Sequence, residues 1–450
     1  MKKFKRVLAL SLVIVLAMSM LPACKKSYNS KKTIRIYCWN EEFKSRFETY
    51  YVPNSNIENF EKEYKIDWVI TPSDNGAYQD KLDADLPKNS KAEKRIDIFL
   101  IEADYALKYV NSDYSVAVKD LGITDSDLAQ QYDYTKQIAT DSSNNLKAVS
   151  WQATPGLFIY NRNMAKEVLG TDDPAKVQNE LSSWTKFDAV AEKMKAAGYY
   201  MLSGYDDSFR TFSNNTSGKW VQDGKVVIDD NIWKWIDQTY TYTNKGYNNK
   251  TSLWKPEWVA GQGPDGKVFG YFYSTWGIAF TMKDNSLAKA IKDGGKYEVG
   301  NGSFGQWAAC EGPQSYYWGG TWICCAKGSD NEDVVADVMK VLTCNKDVMK
   351  QITEKEDDYV NNKAAIAEIS KTYTSDFLGG QNHITLLSKA ADKIDMSNTT
   401  PYDQILNEGI QGAFKDYFDG KVDKAKALEN FKSAVKAKYK DLDVSNLKVK

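Results

Sequence analysis

Acidic residues stand in pairs directly after strand-like runs. Glu41 and Glu42 follow Thr33 to Cys38, and Glu102 and Asp104 follow Arg95 to Ile101. Asp206 and Asp207 form a third pair, in a polar loop that runs to Arg210. Open α/β sheets bind ligands at the carboxyl ends of their strands, so such positions can face a solute. Two kinds of chemistry suit them. A carboxyl pair can bracket a glycosidic bond, one acid protonating the leaving oxygen while the other attacks or activates water. The same carboxylates can instead accept hydrogen bonds from vicinal hydroxyls without breaking any bond. Residue types alone leave both open.

Other chemistry is harder to build. The single histidine, His383, lies in Gln381-Asn382-His383 and reads as a surface or loop residue, so a Ser-His-Asp or Cys-His arrangement has little to stand on. Phosphate-cradling GxxxxGK[ST] sequences and paired CxxC spacings are both missing, so neither nucleotide chemistry, a metal site nor a cofactor is implied. Aromatic residues are abundant, with 13 Trp and 28 Tyr, a load that burial alone does not require. Flat rings cover the weakly polar C–H faces of pyranoses, while carboxylates, amides and guanidinium groups bind the hydroxyls. All three occur near loop positions: Trp39-Asn40-Glu41-Glu42, Trp151-Gln152, Asp206-Asp207 with Arg210, Trp276, and Tyr316-Tyr317-Trp318. Trp233 and Trp235, inside an amphipathic helical pattern, read as core.

The elements that must position these residues follow from periodicity. Thr33 to Cys38, Lys65 to Thr71 and Arg95 to Ile101 are β-branched runs separated by helical stretches at Ala77 to Leu86, stopped by Pro87, and at Ala103 to Val110. This pattern predicts βαβ units in a parallel sheet. A second α/β set follows Trp151: strands at Leu157 to Tyr160, Tyr199 to Leu202 and Val268 to Tyr273, with a helix from Trp184 to Ala197 ending at Gly198. Thr321 to Ala326 reads as a strand feeding a helix capped by Asn331. The C-terminal quarter is mostly helical, and its last helix carries Val422, Ala425, Leu428, Phe431, Val435 and Tyr439 as an inward stripe. The length suits two domains better than one core.

The N-terminus reads as an export signal. Lys2, Lys3, Lys5 and Arg6 precede an uncharged run from Val7 to Met20, and Leu21-Pro22-Ala23-Cys24 closes it as a lipobox. The run is shorter than the roughly 20 residues that span a bilayer. A signal peptide at 1–23 is therefore expected. Cys24 would become the lipidated N-terminus, carrying palmitate-type acyl chains, since stable anchoring takes more than one chain. Residues 24–32, with Lys25, Lys26, Lys31 and Lys32, read as a tether. The protein is expected on the extracellular face of the cell membrane. With the four basic residues of the signal removed, the 60 acidic residues outnumber the remaining basic ones, which argues against nucleic acid as a partner. Five further cysteines form no disulfide framework, and Cys38, Cys324 and Cys325 lie in apolar runs, so free core thiols are expected.

With these residues in place, the chain resembles the family 1 extracellular solute-binding proteins, the maltose-binding type, and especially carbohydrate-importer lipoproteins of Gram-positive bacteria. The resemblance rests on an ordered set of stretches: IYCWNEEF at 36–43, VSWQATPGLFIYNRNMAKEVLG at 149–170, GYDDSFR at 204–210, FGYFYSTWGIAF at 269–280, CEGPQSYYWGGTW at 310–322 and FLGGQN at 377–382. It implies an α/β, two-lobed periplasmic-binding-protein type II fold with interleaved segments and a multi-strand hinge. The first lobe would be 33–151 plus 312–347 and the second 152–311 plus 348–450. Crossings would fall at Trp151-Gln152, Glu311-Gly312 and Asn345 to Val348. It further implies a monomeric, non-catalytic receptor that closes around an oligosaccharide and hands it to the permease subunits of an ABC importer. The ligand residues it implies, together with the ring clusters above, are Trp39, Asn40, Glu41, Glu42, Glu102, Asp104, Gln152, Asp207, Arg210, Trp276, Tyr316 and Trp318. Ile101 departs from the pattern, standing where maltose binders place an aromatic. A lipid-anchored glycosidase, or a receptor for a peptide, is the competing reading.

Overall fold

In the computed structural model, which describes residues 29–450, the TIRIYC run forms β1 (Thr33–Cys38) over the expected residues. The signal segment, Cys24 and most of the tether lie outside the described residues. The tether's last residues form a short turn, and Lys32 pairs with Glu63 at 2.9 Å.

β1 pairs in parallel with β2 (Lys65–Ile70) and with β3 (Ile98–Glu102), as alternating strands and helices require. β3 begins later than expected because Asp97 is drawn off the strand pattern. Its carboxylate accepts from the Arg35 N–H at 2.9 Å, from Ser329 Oγ at 2.6 Å and from Asn331 Nδ2 at 3.0 Å. The same bond corrects the reading of Asn331. It stands at the N-cap, just before the helix Glu332–Thr343, but its side chain makes no capping bond.

Beyond the short β4 (Val149–Ser150), the chain enters β5 (Gly156–Asn161), fully buried along its length. It continues through β6 (Leu202–Gly204), the hairpin of β7 (Val221–Gln222) and β8 (Lys225–Val226), β9 (Asn248–Thr251) and β10 (Gly270–Ser274). β11 (Trp307–Cys310) and β12 (Thr321–Cys325) complete the strands. The first sheet has the order β2-β1-β3-β12-β4, and β12 runs antiparallel to both neighbours. The second has the order β10-β5-β11 and is antiparallel, which the α/β pattern alone did not indicate. Strands therefore cross between the sheets twice, at 151–155 and 311–320.

A third passage runs beside the first. Gln152 bridges Val360, the Ala153 N–H donates to the Tyr359 carbonyl at 3.0 Å, and the Asn361 N–H donates to the Trp151 carbonyl at 2.7 Å. The crossing expected at Asn345 to Val348 thus comes later, at 358–361. The intervening helix Lys346–Glu356 stays with the first sheet, because Glu356 pairs with the buried Arg46 at 3.1 Å and accepts from Tyr50 at 2.8 Å.

One apolar core spans both sheets, and a second gathers Phe209, Trp220, Trp233 and Trp235 with the last helices. In the final helix, Lys424–Lys438, Leu428, Phe431 and Val435 are buried as expected, but Ala427 takes the place of the exposed Ala425. At about 100° per residue, Ala427 lies near 40° from Phe431 and Ala425 near 120°. Val422 and Tyr439 are half-buried. All five described cysteines are free, and burial pushes the Cys38 and Cys310 thiols up to about 12. His383 is not a surface residue. It is fully buried, with its ring 5.7 Å from that of Tyr373.

Candidate binding cleft

The loop after β1 turns sharply because Asn40 Oδ1 accepts from the Glu42 N–H at 3.0 Å and so starts the helix Glu42–Arg46. This turn separates the two acids. Glu41 is exposed and pairs with Lys44 at 3.1 Å, away from the cleft. Glu42 points inward and accepts from Gln152 Nε2 at 2.9 Å. Gln152 also donates to Asp358 at 3.1 Å, and Asp358 accepts from Thr275 Oγ1 at 2.9 Å. One amide on the first crossing thereby ties together the first sheet, the third passage and the residue preceding Trp276. Burial pushes Glu42 up to about 7, with Arg46 and Gln152 opposing the rise.

At the end of β3, Glu102 Oε2 accepts from the Asp104 N–H at 3.0 Å. Burial, reinforced by the neighbouring Asp104 charge, pushes Glu102 up to about 8. Asp104 meets Arg210 of the helix Phe209–Ser213 in a two-pronged pair, one contact being Nη1 to Oδ1 at 2.5 Å. Two parallel bonds of this kind are the strongest form of carboxylate recognition. Burial opposes the guanidinium charge, but Asp104 more than offsets it, and the Arg210 pKa stands above its ordinary value. The pair joins the two sides of the cleft, as does Gln79 Nε2 donating to Gln404 Oε1 at 2.8 Å.

Three indoles form the opposite wall. Trp276 lies edge-on to Trp318 with ring centres 5.1 Å apart, and its Nε1 donates to the Trp318 carbonyl at 2.8 Å. Trp318 stacks on Tyr273 at 5.8 Å, and Trp254 stands 6.1 Å from Trp276 and 6.0 Å from Trp318. Gly319 allows the approach, since a Cβ there would sit 3.2 Å from Trp276 Nε1 and its φ is +72°. Together these groups enclose a cavity of about 430 Å³.

Nine of the twelve residues singled out in the sequence line this cavity: Trp39, Asn40, Glu42, Glu102, Asp104, Gln152, Arg210, Trp276 and Trp318. Three do not. Glu41 faces solvent. Asp207 is buried as a structural acceptor, from the Gly204 N–H at 2.8 Å and Trp258 Nε1 at 2.7 Å, and it holds its loop without lining this cavity. Tyr316 is 1% exposed and donates to the Leu157 and Tyr273 carbonyls at 2.8 and 2.9 Å. Its ring fills the space over Gly156, where a Cβ would lie 2.1 Å from it. Ile101 is fully buried in the sheet.

Tyr105, Trp254, Phe280, Gln404 and Glu408, not expected from the sequence, also line the cavity. Trp254 sits just before Lys255-Pro256, where a proline opens the helix Pro256–Ala260, so a loop position was readable. Gln404 and Glu408 are one turn apart on Asp403–Phe418, whose buried face is Leu406, Ile410 and Phe414. Nothing local marks that helix as reaching a site. Among the described residues no group of three or more His, Cys, Asp or Glu could hold a metal, and no helix is long and apolar enough to cross a membrane.

Comparison with solved structures places this architecture. The galactobiose-bound ABC-transporter binding protein of B. animalis subsp. lactis is similar at 16% identity and TM-score 0.68, over 92% of this chain and 99% of that one. The lacto-N-biose-bound binding protein of Bifidobacterium longum is similar at 14% identity and TM-score 0.66, over 92% and 98%. The GacH receptor of Streptomyces glaucescens, solved unliganded and with acarbose, is similar at 14% identity and TM-score 0.66, over 91% and 99%. At such identities the likeness is one of fold. No match was found among curated proteins. The family model for bacterial extracellular solute-binding proteins matches residues 56–378, and the chain, with its two larger sheets joined by three passages around a ring-walled cleft, belongs to that family.

Proposed function

We propose that this protein is a lipid-anchored receptor on the extracellular face of the cell membrane that closes on an oligosaccharide and delivers it to an ABC importer. The carrying observation is the cleft's two unlike walls. Trp254, Trp276 and Trp318 offer ring surface, and Asn40, Glu102, Gln152 and Arg210 face them with acceptors and donors. A pyranose has the same division between its C–H faces and its hydroxyl rim. Similar proteins solved in complex with galactobiose, lacto-N-biose and acarbose support the choice of ligand. The two lobes are assigned as 33–151 with 312–357 and 152–311 with 358–450, the helix Lys346–Glu356 going with the first because Arg46 and Tyr50 hold it. Closure about the three passages would be the signal read by the permease.

Calorimetric titration of the soluble domain with an oligosaccharide library and a peptide library tests this. Stoichiometric capture of a sugar of two or more units, a shift in Trp fluorescence and no shortened product are expected. Tight peptide binding with no response to any sugar would overturn the carbohydrate reading, and a shortened product would replace the receptor with a glycosidase. The anchor has its own test. Cys24→Ala is expected to leave binding intact and to abolish partitioning into detergent, and a variant that still partitions like the lipidated form would remove the lipid assignment.

A further inference from the structure

A second cavity of about 380 Å³ abuts the first, and the two share Arg210, Trp254, Trp318 and Glu408 as their common wall. Its own lining includes Asp206 and Asp207 from the loop after β6, and Gln411, Gly412 and Lys415 from the helix Asp403–Phe418. Trp254 is one of these shared residues. That indole is 51% exposed and its backbone holds φ +67°, a conformation a bulky residue rarely adopts. Local strain of this sort gathers where a ligand is clamped.

The helix wall gives an independent indication. Gly412 lies in mid-helix, where glycine is unfavourable relative to alanine, and a Cβ there would meet nothing within 4 Å. No packing explains its small size, yet it leaves the cavity open at that point. Its neighbour in the chain, Gln411, uses its Nε2 only on the Asn407 carbonyl, at 3.0 Å, among the described residues. Across the space, the Asp206 carboxylate reaches only the Leu253 N–H, at 3.5 Å, among the described residues. Burial, then the adjoining Asp207, pushes Asp206 up to about 6. Lys415 is occupied by Ser252 Oγ at 2.8 Å. Three acids, one amide and two cations line this space, and with Asp207 already held by Gly204 and Trp258 they suit a neutral ligand rich in hydroxyls better than a charged one.

We infer that the second cavity extends the binding cleft and takes further units of a long or branched neutral oligosaccharide, which passes over the edge of Trp254. This rests on the sugar-receptor reading above and adds a preference for length. The test is a series of malto-, cello-, xylo- and galacto-oligosaccharides of two to six units, titrated into the wild-type protein and Gly412→Leu. The leucine fills the second space and favours the helix, so the melting temperature should hold or rise. Affinity in the wild type should climb beyond the shortest bound sugar, and Gly412→Leu should erase that gain, by at least about tenfold, while leaving the shortest sugar's affinity unchanged. Gln411→Ala, which removes only one side chain at the same wall, should cut the gain in part and serves if the leucine variant misfolds. Length-independent affinity that neither variant alters would overturn the extension and leave the receptor reading intact. An equal loss for all lengths would also overturn it, by making this wall part of the main site. Failure of every sugar to bind would overturn both.

Discussion

Trp276→Ala is expected to weaken oligosaccharide binding by at least about thirtyfold while most of the folding stability remains. The indole is half-buried on the cleft wall, braced edge-on by Tyr273 at 5.9 Å and by Trp318 at 5.1 Å. A pyranose laid against it would gain apolar burial and attraction between its C–H groups and the ring face. Truncating an anchor of this kind costs about 2 kcal/mol or more. The substitution also removes the indole N–H donation to Trp318, a bond worth about 1 kcal/mol, so a modest fall in melting temperature belongs to the expectation. Trp258 is the contrast. It is 1% exposed and donates to Asp207 at 2.7 Å, and Trp258→Ala should open a cavity costing about 3 to 5 kcal/mol of stability. Titration calorimetry and denaturant unfolding of both variants separate the roles. A Trp276→Ala protein that unfolds early yet binds normally when folded would make Trp276 a core residue.

The same two tryptophans show how far the sequence can be read. Trp276 follows a strand that runs to the cleft, so its place after Tyr273 is a local signal, and the same holds for Trp39, Asn40, Glu102 and Asp104. β1 is legible for the same reason, since its β-branched run needs only neighbours on either side. Where partners lie far along the chain, local reading fails. Asp97 leaves the strand pattern to meet Ser329, 232 residues away. Glu41 and Glu42 are equivalent by type, and only the turn made by Asn40 decides which of them faces inward. Asp207 has suitable chemistry for a ligand but is consumed by Trp258 and Gly204. Gln404 and Glu408 reach the cleft from a helix whose sequence states only that it is amphipathic. The third crossing moves to 358–361 because Arg46 and Tyr50 hold Glu356, a contact between segments some three hundred residues apart.

Arg210→Ala is expected to open the unliganded cleft rather than unfold the protein. Asp104 and Arg210 join across the cleft with their side chains mostly shielded, 13% and 17% exposed. Glu102 and Asp403 stand close enough for their charges to act on the same guanidinium. Without it, three acidic groups are left together, and breaking a buried pair by removing one partner costs about 3 to 5 kcal/mol when the other charge stays buried. A hinged protein can avoid that penalty by opening, which returns the carboxylates to water. The radius of gyration of the unliganded variant should therefore rise, sugar affinity should fall at least about thirtyfold, and the denaturant midpoint should hardly move. The pH dependence has a defined sign. Burial, then Asp104, raises Glu102 from 4.5 to about 8, and burial raises Asp403 from 3.8 to about 7. The closed form thus binds more protons than a form in which these acids are hydrated. Its advantage is full below about pH 4, is lost as pH rises toward about 8, and changes no further above that. Wild-type protein should be more closed near pH 6 than near pH 8.5, and Arg210→Ala should show a steeper difference, since no cation remains to hold the carboxylates ionised. Small-angle scattering at the two pH values measures this directly. A radius of gyration that stays constant while the unfolding transition moves early would make the pair a brace of the fold and not a latch on the cleft.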